Sequence, residues 1–354
     1  MSKIHIPVTT RMQGIITAIT TNVETGEKNT RIVQNMILDE NIDSFLNKGA
    51  GLTGASDEDS TPVIGKCLLG DSDVAPSPEQ TDIQGTVLAE TTEGTIIKDN
   101  EIDNGYFNNA KKFIFPAGVG TGTVREVMLK TTHGKTRWDN SLYSIDKGEK
   151  AVARKVFSPP IEKNENIQLE IVWELRLNIG DQIWSGTISN GQIDGTSISW
   201  TASINNAQVP HLFTSYFRYK KFTPLYSATG IANYFNSNES LNHHTAFRVK
   251  LGDSNASSDL INDGPMDIKG DLLETITPTL TRIPYDDTIK ERSFEIMLNT
   301  DQGNGQIGEM VLCSIKDSTY TVPSLGFMRF TFDPPLNKVD THRLYLEIKL
   351  EITT

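Results

Sequence analysis

The chain has 354 residues, enough for two or three domains that each bury a core of their own, and its composition is that of an ordinary soluble globular protein. A formal charge of −12 argues against partners gripped through a basic face, duplex nucleic acid and anionic membrane among them, and favours solubility at high local concentration. Cys67 and Cys313 are too few for a disulfide framework, and each lies in an apolar strand pattern (KCLLG and MVLCSI), so buried free thiols are expected.

The N-terminal stretch MSKIHIPVTTRMQG has no apolar run of signal-peptide length, and no stretch approaches the roughly 18 apolar residues of a spanning helix. The expectation is a protein made in the cytosol that stays there or leaves as part of something assembled there. Residues 11–35 read as a hairpin: Ile15, Ile16 and Ile19 lead into a turn at Glu24-Thr25-Gly26-Glu27, and Thr30 to Val33 lead out. The run LDENIDSFLNKGAG predicts a short helix, with Asp39 as N-cap, Ile42, Phe45 and Leu46 on one face, and Gly49 as terminator. The Gly, Ser and Asp content of residues 50–62 marks an exposed loop. Strand signals resume at VIGKCLLGDS, GTVLAET, KKFIFPAG and TVREVMLKT, and a polar stretch over 131–150 separates them from the next strand.

That next segment, Arg154 to Leu177, is written twice. RKVFSPPIEKNENIQLEIVWELRL returns at Arg329 to Ile352 as RFTFDPPLNKVDTHRLYLEIKLEI. After the prolines apolar residues take every second position: Leu169, Ile171, Trp173, Leu175 and Leu177, then Leu344, Leu346, Ile348, Leu350 and Ile352. Period two marks a strand with one buried face. Gln168, Glu170, Glu174 and Arg176 would face water or a neighbouring chain. The Pro-Pro pair is expected to stop the preceding strand from pairing further, because neither proline can donate to a ladder.

Other blocks recur in the same order. Leu69-Gly70-Asp71-Ser72 returns as Leu251-Gly252-Asp253-Ser254, and Asp82-Ile83-Gln84-Gly85 with Leu88 as Asp267-Ile268-Lys269-Gly270 with Leu273. Phe113, Gly122, Val124, Glu126 and Leu129 return as Phe294, Gly305, Ile307, Glu309 and Leu312. Ordered self-similarity of this kind is the mark of an internal duplication. The block Asp181 to Lys221 extends it, with strands at IWSGTIS and TSISWTASI around a turn at Asp194-Gly195 and a helical segment carrying Leu212, Phe213, Tyr216 and Phe217, so that two units of nearly equal length meet near Asn178.

Many short strands set apart by Gly, Asn and Asp turns, without βαβ spacing, predict an all-β fold: two tandem β-sandwich domains of the jelly-roll or immunoglobulin-like kind, each with a short helix and long loops. The expected division is an N-terminal hairpin and helix over 1–50 packing with the first sandwich, the first sandwich over 51–178, a second hairpin and helix or linker over 179–245, and the second sandwich over 246–354.

No catalytic, cofactor-binding or metal-binding residue is expected. Gly118, Gly120 and Gly122 resemble a phosphate loop only superficially: no Lys-Ser/Thr pair follows, and a strand stands where a helix is needed, so a β-turn is expected there and at Gly303 and Gly305. Glu126 and Glu309, each in an apolar strand, invite comparison with a general acid of raised pKa. One copy lies in each half, so the expected role is to tie down a backbone turn or an arginine, with Arg154 and Arg329 as natural partners. His243-His244 would point to opposite faces of a strand and are read as loop residues. The acidic stretches Asp57-Glu58-Asp59, Asp71-Ser72-Asp73 and Asp99 to Asp103 lack the central Gly and terminal Glu of a calcium loop and read as solvated loops. The aromatic, basic run HLFTSYFRYKKF (211–222) could stack bases or sugars but is read as core.

The first half resembles a module of tailed-bacteriophage virion structural proteins, found in tail-fibre, collar, neck and baseplate components. The resemblance is carried by the Thr25-Gly26 hairpin leading to Asn35-Met36-Ile37 and Ile42 to Leu46, a strand ending in Leu-Gly-Asp, a Phe-rich strand, Gly-x-Val-x-Glu-Val, and the closing block of Arg, Phe, Pro, Ile and Lys. It covers most of residues 11–177, and its second half appears again over about 246–352. In such proteins the Glu strand reads Glu-x-Gly; Met128 and Val311 stand in place of that glycine here. The resemblance implies a non-enzymatic virion component of the tail, collar, neck or baseplate. It would be assembled in the host cytoplasm as a homo-oligomer around a symmetry axis that bridges other virion subunits, without nucleic acid or membrane insertion. The alternative is a tail-fibre or decoration module that binds a host receptor or glycan through its loops, the 211–222 aromatics or Trp200.

Overall fold

The computed structural model describes residues 2–40, 64–103, 105–131, 136–138, 141–143, 149–178, 182–188, 197–204, 247–255, 267–276, 278–286, 291–314 and 325–354, and over these the chain is all-β with several sheets, one of them a curled half-barrel. The first half supplies β1 (Ser2–Asn22), β2 (Lys28–Ile37), β3 (Lys66–Gly70), β4 (Val87–Thr91), β5 (Thr95–Asp103), β6 (Tyr106–Phe115), β7 (Gly122–Lys130), β8 (Thr136–Trp138), β9 (Ser141–Tyr143), β10 (Ala151–Lys163) and β11 (Ile167–Asn178). The second supplies β12 (Gln182–Ile188), β13 (Ile198–Ile204), β14 (Phe247–Gly252), β15 (Leu272–Ile276), β16 (Thr279–Asp286), β17 (Glu291–Leu298), β18 (Gly305–Ser314), β19 (Leu325–Lys338) and β20 (Leu344–Thr353). These strands belong to two units: Thr10–Asn178 with Ile352–Thr354, and Ile179–Glu351 with Met1–Thr9.

In the unit built on Thr10–Asn178, the expected hairpin is present. β1 and β2 pair antiparallel from Gly14↔Asn35 to Thr21↔Lys28. Asn22 closes the turn by accepting the Glu24 and Thr25 amides on its side-chain Oδ1 at 2.9 and 3.1 Å, and Gly26 supplies the left-handed residue at φ 74°. The first strand begins far earlier than residue 11, at Ser2. On its other side β1 pairs with β11, from Met12↔Leu177 to Asn22↔Ile167; β11 continues to β6, and β6 to β5. β2 crosses at Met36 and Ile37 onto β10, which starts the ladder β10–β7–β3–β4.

The period-two reading of β11 holds residue by residue. Leu169, Ile171, Trp173, Leu175 and Leu177 are buried, each contributing about 1.5–3 kcal/mol of apolar burial. Trp173 reaches β3, where its Nε1 donates to Cys67 Sγ at 3.4 Å. Both cysteines are buried and unbonded to one another, as expected, and burial pushes the Cys67 thiol up to about 12 despite the Trp173 contact. The polar face of β11 meets lysines of the neighbouring strands: Lys98 Nζ lies 2.8 Å from Glu174, and Lys112 Nζ lies 3.4 Å from Glu170.

Three expectations are corrected or only partly reached. Asp99 to Asp103, read as an acidic loop, forms the end of β5, where Glu101↔Asn108 and Asp103↔Tyr106 pair across a hairpin. Pairing at a sheet edge leaves Glu101 and Asp103 exposed to water, so composition alone misled. The Pro-Pro pair does not stop its strand. β10 leaves the ladder after Val156 and rejoins it at Ile161↔Val124, so the prolines sit in a bulge where no donor is required. Of the helix expected after Asp39, residues 39 and 40 are helical, and the remainder lies outside the described residues.

The unit built on Ile179–Glu351 repeats the ladder: β19–β18–β14–β15 follows the order of β10–β7–β3–β4. Its irregularities also repeat. The register slips between Leu69 and Gly70 against β4 and between Leu251 and Gly252 against β15. The bulge between Val156 and Ile161 recurs between Thr331↔Glu309 and Leu336↔Ile307. β12 and β13 form the expected second hairpin, with β13 on β19 as β2 is on β10, and the turn at Asp194-Gly195 lies outside the described residues. A separate ladder runs β16–β17–β20, with the start of β1 beside β20.

Glu174 makes the outer face of β11 sensitive to acid. Burial opposes its charge, but Arg176 at 2.9 Å and Lys98 outweigh it and hold the carboxyl below the usual range. A carboxyl depressed in the folded state stabilises above its unfolded pKa, and that contribution is lost as pH falls through the folded value. Glu174→Gln is therefore expected to cost on the order of 1 kcal/mol at neutral pH and nothing once the carboxyl is protonated in both states, read from urea unfolding at neutral and strongly acid pH.

Candidate functional site

The blocks that recur in the sequence converge in space on one carboxylate in each unit. Glu126 projects inward from β7 and is fully buried; Arg154 projects inward from β10, where it pairs with Met128, and is fully buried too. Arg154 Nε donates to Glu126 Oε2 at 2.8 Å, and its Nη2 lies 2.6 Å from the same oxygen. The remaining guanidinium nitrogen, Nη1, donates at 2.9 Å to both the Val74 carbonyl and Gln80 Oε1. Glu126 also accepts three backbone amides: Ser72 at 3.3 Å and Gly85 at 2.9 Å on Oε1, and Gln84 at 3.2 Å on Oε2. Four hydrogen bonds and the close Nη2 ion-pair contact therefore surround one carboxylate, which is how a buried charge becomes tolerable.

Each repeated residue has a reason in this geometry. Gly70 carries no Cβ because one would stand 2.7 Å from Glu126 Cγ, and Gly85 carries none because one would strike the Asp71 carboxylate. Asp71 caps the returning chain by accepting the Thr86 amide at 2.7 Å, and Asp82 holds the Ile83 amide at 2.8 Å while pairing with Lys130. Ile83 is buried with Leu38, Leu68, Met128 and Ala151. Leu-Gly-Asp-Ser and Asp-Ile-x-Gly are thus the two ends of one connection, residues 71–86, pinned onto the ladder by Glu126 and Arg154.

The second unit has the same device. Arg329 Nε donates to Glu309 Oε2 at 2.8 Å with Nη2 at 2.6 Å, and Glu309 Oε1 accepts the Lys269 and Gly270 amides at 2.9 and 2.6 Å. Asp253 accepts the Asp271 amide at 2.8 Å, and a Cβ on Gly252 would stand 2.7 Å from Glu309 Oε1. A lysine again pairs with the first acid of Asp-Ile-x-Gly, but Lys250 comes from β14 whereas Lys130 comes from β7.

Two further lysines recur as staples. Lys163 Nζ donates to the Pro116 and Ile167 carbonyls at 2.7 and 2.8 Å, and Lys338 Nζ to Asn304 Oδ1 at 2.9 Å and the Thr300 carbonyl at 3.4 Å. Burial lowers the pKa of both, at Lys338 against the attraction of Asp301, Glu274 and Asp340. The turn after β6 that Lys163 holds is the glycine stretch first compared with a phosphate loop. Gly118, Gly120 and Gly122 all have positive φ, as do Gly303 and Gly305; Gly118, Gly120 and Gly303 lie in the turns expected there, whereas Gly122 and Gly305 are the opening residues of β7 and β18.

The expected partners of Glu126 and Glu309 are therefore the ones found, and neither carboxylate has a face open to a substrate. Sequence reasoning missed that all the repeated blocks meet at these acids. It also missed Gln80 and the Val74 carbonyl, for which no sequence signal exists because both act from inside the loop. Asp71 lies in an exposed loop, as expected, but caps Thr86 as well. Trp200, a candidate for ligand stacking, is buried against Gly186, whose Cβ would stand 2.7 Å from the indole. His243-His244, residues 211–222 and Asp57-Glu58-Asp59 lie outside the described residues. Among the described residues no group of three or more His, Cys, Asp or Glu side chains gathers to hold a metal ion. Comparison with protein-family models, curated proteins and solved structures found no match.

Removing one member of a buried pair strands its partner's charge. Glu126→Gln or Arg154→Met alone is expected to cost about 3–5 kcal/mol in urea unfolding, while replacing both by apolar residues of similar volume costs less than the sum of the single changes. In Glu126→Gln, hydrogen exchange at the Ser72, Gln84 and Gly85 amides is expected to accelerate ahead of exchange in β11.

Proposed function

We propose that the chain is a non-enzymatic structural component of a bacteriophage virion, two β-sandwich modules in tandem, that attaches or bridges tail, collar, neck or baseplate subunits. The observation that carries the reading is what the two copies share. The repeated residues are those that pin a loop and bulge to a ladder, so the duplicated property is a rigid frame. A frame used twice in one chain suits a part that must hold its shape under load and offer related surfaces to neighbours.

Surface chemistry supports the same reading. β4 and β15 stand at the edges of their ladders, and both expose large apolar side chains at matching places: Val87 in the first, Leu272 and Leu273 in the second. Apolar residues on an edge strand call for cover by another subunit. A homo-oligomer of three such chains would set six modules around an axis and reconcile rings of different symmetry. Trp200 is committed to the core and is not offered to a glycan.

Mass photometry of the purified chain is expected to show a defined oligomer at integer multiples of the chain mass, and Leu272→Lys with Leu273→Lys is expected to reduce it. Mass spectrometry of purified particles is expected to find the chain in fixed stoichiometry with tail or neck proteins. A chain that stays monomeric at high micromolar concentration and is missing from particles overturns the reading.

A further inference from the structure

The start of β1 does not belong to the unit in which the rest of that strand lies. Met1–Thr9 groups with Ile179–Glu351, whereas the strand from Thr10 onward groups with the other unit. Within its unit this segment lies beside β20. Ile4 and Ile6 are among the largest fully buried side chains, while His5, Pro7 and Thr9 are exposed, so the segment has one core face and one outer face. His5 Nδ1 lies 2.6 Å from Glu347 Oε2, and Thr9 Oγ1 donates to Glu351 Oε2 at 3.5 Å. The two contacts advance together along both strands, which is the sense of a parallel pair, whereas β1 runs antiparallel to β11.

The repeat shows why that place exists. In the first unit β11 is flanked by β6 on one side and by the hairpin strand β1 on the other. Its counterpart β20 is flanked by β17, and the order of the repeat assigns its other side to the hairpin strand β12. Among the described residues β12 pairs with β13 alone and ends its ladder. The side of β20 left by β12 is filled by residues 2–9. A strand there covers the backbone of β20 and completes the apolar layer of Leu346 and Ile348 with Ile4 and Ile6. Pro7, with no N–H to donate, is the kind of residue that sheets admit at an edge.

We infer that residues 2–9 are a donor strand, and that the side of β20 they fill accepts the same strand from a second copy of this chain. Every contact the strand makes with β20 is identical whichever copy supplies it, and only the connection through Thr10 differs. Exchange of an identical element therefore creates no new interface and is a low-cost route to joined copies. The outcome is a chain of docking in which each copy completes the second unit of its neighbour. The inference deepens the assembly role proposed above by naming the segment that links copies, but its geometry does not depend on a virion.

Cysteine pairing on the full chain tests it. Thr9 and Glu351 are exposed, and the native thiols Cys67 and Cys313 are buried and do not compete. Chains carrying Thr9→Cys and chains carrying Glu351→Cys, distinguished by mass tags, are mixed, incubated and oxidised. Heterodimers are expected to exceed either homodimer several-fold, and Ile4→Asp with Ile6→Asp in the Thr9→Cys chain is expected to bring them to the homodimer level. If only the double variant Thr9→Cys with Glu351→Cys closes, and within one chain, the strand is fixed to its own copy and exchange is overturned. If the double variant does not close either, the strand does not lie on β20 and the inference falls with it. Oligomers that persist in the closed double variant overturn exchange while leaving the assembly role standing; exchange in a chain missing from particles does the reverse.

Discussion

Burying a charge is the costliest act in this fold, and the fold performs it twice in the same way. A guanidinium and a carboxylate removed from water each lose several kcal/mol of solvation, and their mutual attraction offsets that only when the remaining donors and acceptors are filled. Arg154 and Glu126 come close to the condition by recruiting the connection between β3 and β4: three amides of residues 72–85 point at the carboxylate, a carbonyl and a glutamine side chain accept from the guanidinium, and only Arg154 Nη2 relies on ion-pair contact with Glu126 without a hydrogen bond. The dependence runs both ways. Without the loop the pair is a buried, half-satisfied charge, and without the pair the loop has nothing to hold its amides. Glycines at both ends follow, because the carboxylates of Glu126 and Asp71 occupy the space where a Cβ would go.

The same constraint explains the bulge. For Arg154 to face inward beside β7 while Phe157 is buried a few residues later, the strand must shift its register, and the prolines provide a stretch that asks nothing of the ladder. Arg31 of β2 lies over the Phe157 ring, 5.9 Å from its centroid, and donates to the Pro159 carbonyl, so the bulge is held from the neighbouring strand as well. After it, Lys163 ties the strand to the turn that follows β6. Loop, bulge and turn are thus fastened by buried or half-buried cations acting on backbone oxygens, with the apolar layer of β11 beneath.

Much of this was legible in the sequence. Alternation along β11 fixed its buried face because a strand has only two faces and tryptophan and leucine were confined to one. The repetition of Glu126 with Arg154, and of Glu309 with Arg329, pointed to charge pairing, since an acid in an apolar strand needs a partner. Other features were hidden for physical reasons. That Asp99 to Asp103 form the end of an edge strand is not legible in acidic composition, because an edge strand keeps charges in water as readily as a loop does. The prolines looked like a stop because ladder chemistry forbids them, and a bulge is the one context that lifts the prohibition. Nothing in SKIHIPVT announced that residues 2–9 would serve the unit furthest from them in sequence; its alternating isoleucines mark a strand but carry no information about which edge it finds.

How the copies differ is as informative as what they share. The acid that opens Asp-Ile-x-Gly keeps a lysine partner in both, yet the lysine comes from β7 in one and from β14 in the other. A charge near that acid is therefore required by position, and the neighbouring strands are free to supply it in either way. The cover given to β11 and β20 varies more deeply: the first receives an antiparallel hairpin strand, the second a parallel segment from the far end of the chain. Where solvation energy is at stake the copies are held alike, and where only an edge has to be covered they diverge. An edge accepts any strand with an apolar face and free backbone groups, so edges are where a duplicated frame can acquire different neighbours without disturbing the buried charges that keep it rigid.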